Sequence, residues 1–430
     1  MHQTASTASS SDIRVIGLIG FAHATSHFFH LLLPPLFPWL MPEFGLNFTQ
    51  AGTLMTAFFV VSGVGQALSG FVVDRVGPRR VLLAGIACFV LAALLLSVAN
   101  GYAMLLAVGG LAGLGNSVFH PADFTVLNRK VSTARLGHAF AVHGLSGNIG
   151  WAIAPVFLTG IAAAAGWRTA ALGAAALGAL AWAVVWLGRD ATELEGAGAN
   201  TMNTEDGARV SPGGTATTFG FLGAGAVWMC FLFFLLVTTA FGALQNYATP
   251  LMQNVYGLPV AAAAATLSFF LLGGAAGIAV GGVLVIRGAA HDRLIAASLG
   301  AAALVAVLIA SGALPAWSVS LAMGVMGFFG GIAGPSRDLL VRQAATARFG
   351  QQAFGRVYGF VYSGLDTGLA VSPLVFGPLM DAGRFGAVLA GVAMLQALAI
   401  LTALNVGWQS RSAPARPSEG LSAPRGQRTK

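Results

Sequence analysis

Three histidines recur at helical spacing in the first long apolar run of the chain: His23, His27 and His30. The spacing i, i+4, i+7 places them on one face of a helix. Imidazoles titrate near neutral pH, and ionisable groups within apolar runs are costly and often functional. The stripe therefore predicts a cavity lining that takes up a proton or faces an anionic substrate. The alternative is three amphipathic residues that are hydrogen-bonded to neighbours or to water.

A second ionisable pair lies in the fourth apolar run, where His120 and Asp123 are three residues apart and can touch on a helix. Pro121 lies between them and removes an intrahelical hydrogen bond. We expect a kink there, which could serve as a pivot.

Further polar residues lie in the second half of the chain. Asp366 is in the middle of an apolar run and either carries a proton or pairs with a distant side chain. Gln245 and Asn246 are candidate substrate contacts, whereas His143, in the first half, is expected to make a helix–helix hydrogen bond.

The elements that hold these side chains follow from the composition. The chain has 430 residues, of which 56% are hydrophobic and 8% charged, whereas soluble domains carry about 25% charged residues. Its apolar runs have the length of about 20 residues that spans a bilayer as a helix. The sequence therefore predicts an all-α integral membrane protein with the lipid bilayer as its surroundings. The Lys and Arg residues are scattered between the apolar runs, which argues against nucleic-acid binding.

Twelve apolar runs predict twelve transmembrane helices. They cover roughly residues 13–40, 50–72, 80–99, 103–127, 137–163, 169–187, 219–247, 261–286, 294–312, 317–341, 353–379 and 386–407. We expect five regions: a cytoplasmic N-terminal tail (1–12), an N-terminal six-helix bundle (13–187), a cytoplasmic linker (188–218), a C-terminal six-helix bundle (219–407) and a disordered cytoplasmic tail (408–430).

The basic residues agree with this count. With the N-terminus in the cytoplasm, every Lys and Arg except Arg168 and Arg384 lies on the cytoplasmic side, as the positive-inside rule requires. Both termini are then cytoplasmic, and we expect a location in the bacterial inner membrane.

The two halves of the chain repeat each other. The segment "PWLMPEFGLNFTQAGTL" (38–54) aligns with "PLMQNVYGLPVAAAAAT" (250–266), which pairs Gly45 with Gly257. Gly150 and Pro155 likewise match Gly368 and Pro373. The repeat predicts two pseudo-symmetric six-helix bundles with a central interface, where secondary transporters place their substrate.

The segment "SGFVVDRVGPRRVLL" (69–83) concentrates charge between two apolar runs. It resembles the loop between helices two and three of the major facilitator superfamily at Gly70, Asp74, Arg75, Gly77, Arg79 and Arg80. The resemblance implies the major facilitator fold and a cytoplasmic gate whose charge network locks the outward-facing state. In physical terms, Gly70 permits close helix packing, Gly77 permits a tight turn and Asp74 can accept at a helix N-terminus. Anchoring by positive charge alone would explain Arg79 and Arg80 but not Asp74.

Residues 113–155 resemble the fosmidomycin-resistance branch of that superfamily, which carries Phe-His-Pro followed by Glu in helix four. Phe119, His120 and Pro121 match, but Ala122 replaces the Glu and Asp123 follows one residue later. The first helix also departs, with His27 where the branch tends to have Asp.

The fifth run contains a stretch of small residues that includes Gly147 and Gly150 and ends at Pro155. In antiporters of the superfamily a comparable stretch packs against the other half, so the resemblance favours efflux.

These patterns together predict a proton-coupled secondary transporter that exports a drug-like or anionic small molecule by antiport. The alternative is proton-coupled uptake of an organic acid or another small metabolite. An integral membrane enzyme is less favoured, because the sequence has no nucleophile triad, no His-Glu-x-x-His and no Walker motif. We expect no cofactor, no metal site and a monomer.

Overall fold

The protein is all-helical in a computed structural model that describes residues 2–192, 223, 225–287, 290–349 and 354–412. Twelve long helices follow one another within these described ranges. They are α1 (His2–His30), α2 (Phe48–Val76), α3 (Pro78–Ser97), α4 (Tyr102–Lys130), α5 (Thr133–Ala165), α6 (Trp167–Leu187), α7 (Gly225–Tyr256), α8 (Val260–Ile286), α9 (His291–Ala310), α10 (Val319–Phe349), α11 (Phe354–Asp381) and α12 (Phe385–Ser412). Short helical segments lie at Pro34–Leu36, Phe37–Phe44, Arg189–Thr192 and Ala316–Ser318.

Their length and apolarity suit a bilayer. Within the described residues, ten helices are long and apolar enough to cross a membrane, and the bent pair Ser11–His30 and Pro34–Phe44 makes an eleventh. Helix α11 has 28 residues and is about 42 Å long at 1.5 Å per residue, more than the hydrocarbon core of about 30 Å. The architecture is that of an all-α membrane protein and is consistent with twelve spans.

The first span differs from its predicted course over residues 13–40, because it bends by 41° between Ser11–His30 and Pro34–Phe44. Pro34 and Pro35 have no backbone N–H to continue the α1 hydrogen-bond pattern. At its other end, α1 begins at His2, inside the predicted tail 1–12. Residues 2–12 contain no Gly or Pro that would stop a helix.

The remaining predicted region boundaries stay predictions. Most of the linker 188–218 and of the tail 408–430 lies outside the described residues, although Arg189–Thr192 forms a short helix at the start of the linker.

Equivalent helices pack alike in the two halves. A Cβ atom on Gly150 of α5 would strike the backbone carbonyl of Ala24 on α1. At the matching Gly368 of α11, an ideal Cβ atom would lie 2.7 Å from the carbonyl oxygen of Leu235 on α7. Gly45 and Gly257, also paired by the repeat, both have left-handed backbones, with φ of 62° and 65°. The sequence repeat therefore corresponds to two bundles of related structure.

The halves meet where α2 packs against α11 and α5 packs against α8. One end of this interface is closed by Asp381, at the end of α11. Its carboxylate accepts from the backbone N–H groups of Phe48 at 2.6 Å and Thr49 at 3.1 Å, and from the Thr49 hydroxyl at 2.5 Å. We call these contacts the Asp381 clasp. They cap the N-terminus of α2 across the interface, which the helix dipole favours.

Candidate functional site

A cavity of about 440 Å³ lies between the two halves. Its walls come from both bundles and include His23, His27, His120, Phe124, His143, Asn148, Trp151, Thr238, Phe241, Phe270, Arg337, Leu369 and Gln396. The cavity extends from the middle of the bundle toward the face at which α1 begins. Phe124 on α4 and Arg337 on α10 line the part of the cavity nearer that face. The Asp381 clasp lies at the opposite face.

One wall of the cavity carries a group of titratable side chains, which we call the histidine–aspartate cluster: His23, His27, His120, Asp123 and His143. Three helices supply it, because His23 and His27 lie on α1, His120 and Asp123 on α4, and His143 on α5. The rings of His23 and His143 stack with centroids 3.5 Å apart, and those of His23 and His27 are 4.4 Å apart.

Asp123 is the acid of the cluster and has no exposed surface. Its Oδ2 atom lies 3.0 Å from His143 Nε2 and 3.3 Å from His23 Nδ1. The first distance is a hydrogen bond, whereas His23 Nδ1 is not aligned for one with any described group. A buried carboxylate held between imidazoles on two other helices can exchange a proton with them.

Small and flat neighbours make room for His27. The ideal Cβ of Gly147 on α5 lies 2.7 Å from His27 Nδ1 and 3.1 Å from His23 Nε2, so a side chain at this position would displace both rings. The Trp151 ring packs on His27, with centroids 4.2 Å apart, and on Phe241 of the other half at 5.3 Å. Among the described residues, neither ring nitrogen of His27 has a hydrogen-bond partner.

The third histidine of the stripe, His30, leaves the cavity. Its Nε2 lies 2.7 Å from Asn116 Oδ1, and Asn116 also accepts from Ser26 and donates to Ser62 at 2.7 Å. His30 lies about one helical turn beyond His27 on α1. Its ring centroid is 5.7 Å from that of Trp151, whose ring lies beside it. The predicted stripe therefore divides into two cavity residues and one residue of a polar network between helices.

Helix α4 breaks near Pro121, between Tyr102–Asn116 and Phe119–Lys130. Proline has no N–H for the carbonyl four residues earlier, which is that of Ser117. The hydroxyl of Ser69 on α2 lies 3.0 Å from that oxygen and can donate to it. The expected contact between His120 and Asp123 is replaced by others, because the His120 ring hydrogen-bonds to Gln66 Oε1 at 3.1 Å while Asp123 faces α1 and α5.

The family model of the Major Facilitator Superfamily matches residues 18–373 of this chain. The chain belongs to the Major Facilitator Superfamily.

The superfamily assignment agrees with individual relatives. The chain is 26% identical over 400 residues to the uncharacterized MFS-type transporter YfnC of Bacillus subtilis (strain 168), covering 91% of this chain and 92% of that protein. It is 30% identical over 151 residues to the fosmidomycin resistance protein of Escherichia coli (strain K12), a match that covers 35% of this chain and 37% of the relative.

A solved structure shares the fold. The crystal structure of a bacterial homolog of the human lysosomal transporter Spinster, in an inward-facing and occupied conformation, aligns with a TM-score of 0.68 and 14% identity. The alignment covers 93% of this chain and 96% of that one. The predicted major facilitator fold is confirmed.

The superfamily hairpin between α2 and α3 has the expected turn, since Gly77 has a φ of 92° and joins the two helices. Asp74, Arg75 and Arg80 are exposed, and Arg79 donates to the Trp186 carbonyl at 2.8 Å. The expected close packing at Gly70 is absent from the described part of the chain, where an ideal Cβ at Gly70 has no neighbour within 4 Å. At this face α2 is not held against a neighbour at that position.

Three predicted site residues of this superfamily member lie away from the described cavity wall. Gln245 is buried with neither amide atom paired among the described residues, and Asn246 donates to the Gly242 carbonyl of its own helix at 2.7 Å. Asp366 lies at the α2–α11 interface, its Cβ 3.5 Å from the ideal Cβ of Gly63. The structure gives Asp366 no ion pair in the part of the chain that it describes.

The small residues of α5 face a different partner from the expected one. Gly147 and Gly150 pack on His27 and Ala24 of α1, in the same half. Because they are three residues apart they share one helix face, and that face meets α1. Pro155 lies within α5, and its carbonyl accepts from Thr159 at 2.7 Å. The predicted helix packing is present, but this stretch does not support the efflux argument that was based on packing against the other half.

Sequence reasoning underestimated two residues. His143 hydrogen-bonds between helices as expected, but it also lines the cavity and holds Asp123. Trp151 covers His27 and touches the second half. Helical periodicity could have indicated both. His143, Gly147 and Trp151 are spaced by four residues along α5, and Gly144 precedes Gly147 by three, so all four lie near one helix face.

Proposed function

We propose that this transporter couples the movement of its substrate to protons, and that it exports a drug-like or anionic small molecule by antiport. The observation that supports the proposal is the buried acid Asp123 among imidazoles that line a cavity between the halves. Secondary transporters of this fold bind substrate near the bilayer midplane and expose the site to one side at a time. A proton-binding cluster in the wall of such a cavity can be exposed to either side with it.

The wall chemistry suits a molecule with apolar and anionic parts. Phe241, Phe270 and Leu369 give apolar contacts, and the guanidinium of Arg337, 4.7 Å above the Phe234 ring, contributes a positive charge. The similarity to a fosmidomycin resistance protein also favours export of a drug. Uptake of an organic acid with protons is the alternative, and the same cavity could serve it.

The cycle that we propose alternates between two closures. With both termini in the cytoplasm of a bacterium, the cavity faces the cytoplasm while the Asp381 clasp closes the outer side. In the opposite state the hairpin with Asp74 and Arg75 would close the inner side, since the exposure of Asp74 in this structure fits an open inner mouth. Protons enter the cluster from outside and leave it inside as substrate is exported, and a single chain suffices for this cycle.

Everted membrane vesicles test coupling and direction. The vesicles are energised to an acidic lumen, and the proton gradient is followed with a fluorescent weak base while fosmidomycin is added as the probe. Antiport predicts that the probe dissipates the gradient, because protons leave the lumen as the probe enters. Asp123→Asn should abolish this response but retain exchange of labelled for unlabelled probe, since exchange needs no net proton movement.

Two outcomes would contradict the proposal. One is a gradient-dissipating response as large in Asp123→Asn as in the wild type at equal abundance. The other is accumulation of probe in right-side-out vesicles driven by an inward proton gradient, which would favour uptake. In the same assay Asp74→Asn should insert normally and slow the response several-fold, because it weakens one closed state.

A further inference from the structure

Three side chains of the cluster converge on one point between three helices. The ligand atoms of His23, Asp123 and His143 lie within 4.8 Å of one another. The carboxylate Oδ2 is 3.0 Å from His143 Nε2 and 3.3 Å from His23 Nδ1. In a tetrahedral site with bonds of 2.0–2.1 Å, ligand atoms lie about 3.3 Å apart. The two separations that involve the carboxylate are therefore those of a coordination sphere as well as those of hydrogen bonds.

Several nitrogen and oxygen atoms of the cluster are buried without a hydrogen-bond partner in the described part of the chain, which favours a bound cation over hydrogen bonds alone. Within the described residues, His23 Nδ1, Asp123 Oδ1 and both nitrogens of His27 are buried without a hydrogen-bond partner. His23 is 2% exposed, His27 8% and Asp123 0%. Unpaired polar atoms at such depth are destabilising, and an ion bound between His23 and Asp123 would take up the unpaired lone pair of His23 Nδ1.

The charge of the cluster points in the same direction. The ion-pair partners that the described residues give Asp123 are both imidazoles. When Asp123 is ionised and the imidazoles are neutral, the cluster carries one buried negative charge, which a divalent cation would compensate.

We propose that His23, Asp123 and His143 form a binding site for a divalent first-row transition-metal ion such as Zn²⁺ or Co²⁺. Two imidazole nitrogens and one carboxylate oxygen are ligands that these ions accept. Three protein ligands leave a fourth position in a tetrahedral site. Since His23 and His143 both line the cavity, a donor atom of a transported molecule is a candidate for that position. Sequence spacing predicts no such site, because the ligands come from three helices and share no local motif.

The proposal does not depend on proton coupling, but the two share ligands. Imidazoles must be neutral to bind the ion, so the metal and protons compete for the cluster. Acidification should release the ion, and binding of the ion should release protons.

Cobalt titration of the purified, tag-free protein in detergent tests the site. We expect visible d–d bands of tetrahedral Co²⁺ with one equivalent bound, no thiolate charge-transfer band, and bleaching by Zn²⁺. Asp123→Asn and His143→Gln should each weaken binding by on the order of 100-fold, at least as much as the loss of an outer-sphere partner. His138→Gln is the matched control, since His138 lies on α5 but is exposed and outside the cluster.

A second readout protects against misfolded variants. Zn²⁺ should raise the thermal unfolding temperature of the wild type and of His138→Gln, and the effect should vanish at acidic pH. Wild-type protein without Co²⁺ bands and without Zn²⁺ stabilisation at neutral pH would overturn the proposal, as would folded ligand variants that bind Co²⁺ like the wild type. Metal binding without proton-driven transport would support this site while counting against the proposed function, so the two failures are distinguishable.

Discussion

At Asp123, a carboxylate without exposed surface contacts imidazoles from two other helices. The protein must satisfy this charge within the bilayer, where hydration cannot. His143 does so by a hydrogen bond, and His23 contributes a nearby ring nitrogen. Asp123 determines the chemistry of the cavity, because its carboxylate oxygens and the neighbouring imidazole nitrogens can bind a proton or a metal ion.

His27 offers the cleanest test at the residue scale, because it lines the cavity but does not contact Asp123 within ion-pair distance. His27→Ala should shift the midpoint of the pH profile of transport by about one unit or more. The reason is that its ring lies 4.4 Å from that of His23, where the interaction between two charges amounts to a few kcal/mol. The measurement is transport rate against pH in vesicles.

His138→Ala is the control for this experiment, since an exposed histidine outside the cluster should leave the profile unchanged. An unaltered profile in His27→Ala would remove His27 from the coupling mechanism.

The residue-scale features were partly readable from the sequence. The common face of His23 and His27 follows from helical periodicity, which is a local property. The contact of His143 with Asp123 does not, because it depends on how α4 and α5 pack. His30 shows the limit of the same rule: it shares the face with His23, but its depth in the bundle places it beside Asn116 instead of the cavity.

At the scale of elements, the close approach of α1 and α5 is seen where Gly150 packs against the backbone carbonyl of Ala24. Small residues permit such contacts between membrane helices, which lack a hydrophobic force between them. The approach brings His143 and Gly147 to the rings of His23 and His27, so the helix packing positions the cluster.

Gly150→Val should destabilise the folded protein by about 2 kcal/mol, because the added side chain overlaps the α1 backbone and packed helices tolerate such excess poorly. The thermal unfolding temperature in detergent measures the effect. Gly160→Val on the same helix is the control, since its ideal Cβ has no neighbour within 4 Å. Equal unfolding temperatures for the two variants would contradict the packing argument.

At the scale of elements, composition and repeat were sufficient to predict the helices and their division into two halves. The break of α1 was missed even though Pro34 and Pro35 mark it, because the run of apolar residues continues past them to position 40. The Asp381 clasp could not be predicted, since its partners are 333 residues apart and each is unremarkable in its own segment.

For the whole molecule, the clasp and the cavity lie at opposite faces of the interface between the halves. One face is closed by hydrogen bonds to Asp381, and the other leaves room for a cavity next to Arg337. This asymmetry is what a transporter that exposes its site to one side at a time requires.

Asp381→Ala should open the clasped face more often. The change removes up to three hydrogen bonds to a charged group, each of which contributes about 1.5–3 kcal/mol, so the closed state should lose at least a tenfold preference. The readout is labelling of Thr249→Cys, buried on α7, by a membrane-impermeant maleimide in a background without Cys88 and Cys230.

The matched control is Asn254→Ala, because Asn254 is exposed near the same face and bonds only the Pro250 carbonyl of its own helix among the contacts described. Labelling rates that are equal in Asp381→Ala and in the control would mean that the clasp does not hold this face closed.

The central claim is that the two halves change their relative position in response to protons bound at the cluster. Paired spin-label distances test it most directly, with one pair at the clasped face on Ala103 and Ala313 and one pair at the opposite face on Arg129 and Ile286, all exposed. Between neutral and acidic pH, we expect the two distances to change in opposite directions in the wild type, and to stay constant in Asp123→Asn. Distances that are independent of pH in the wild type, or that respond equally in the variant, would contradict the account.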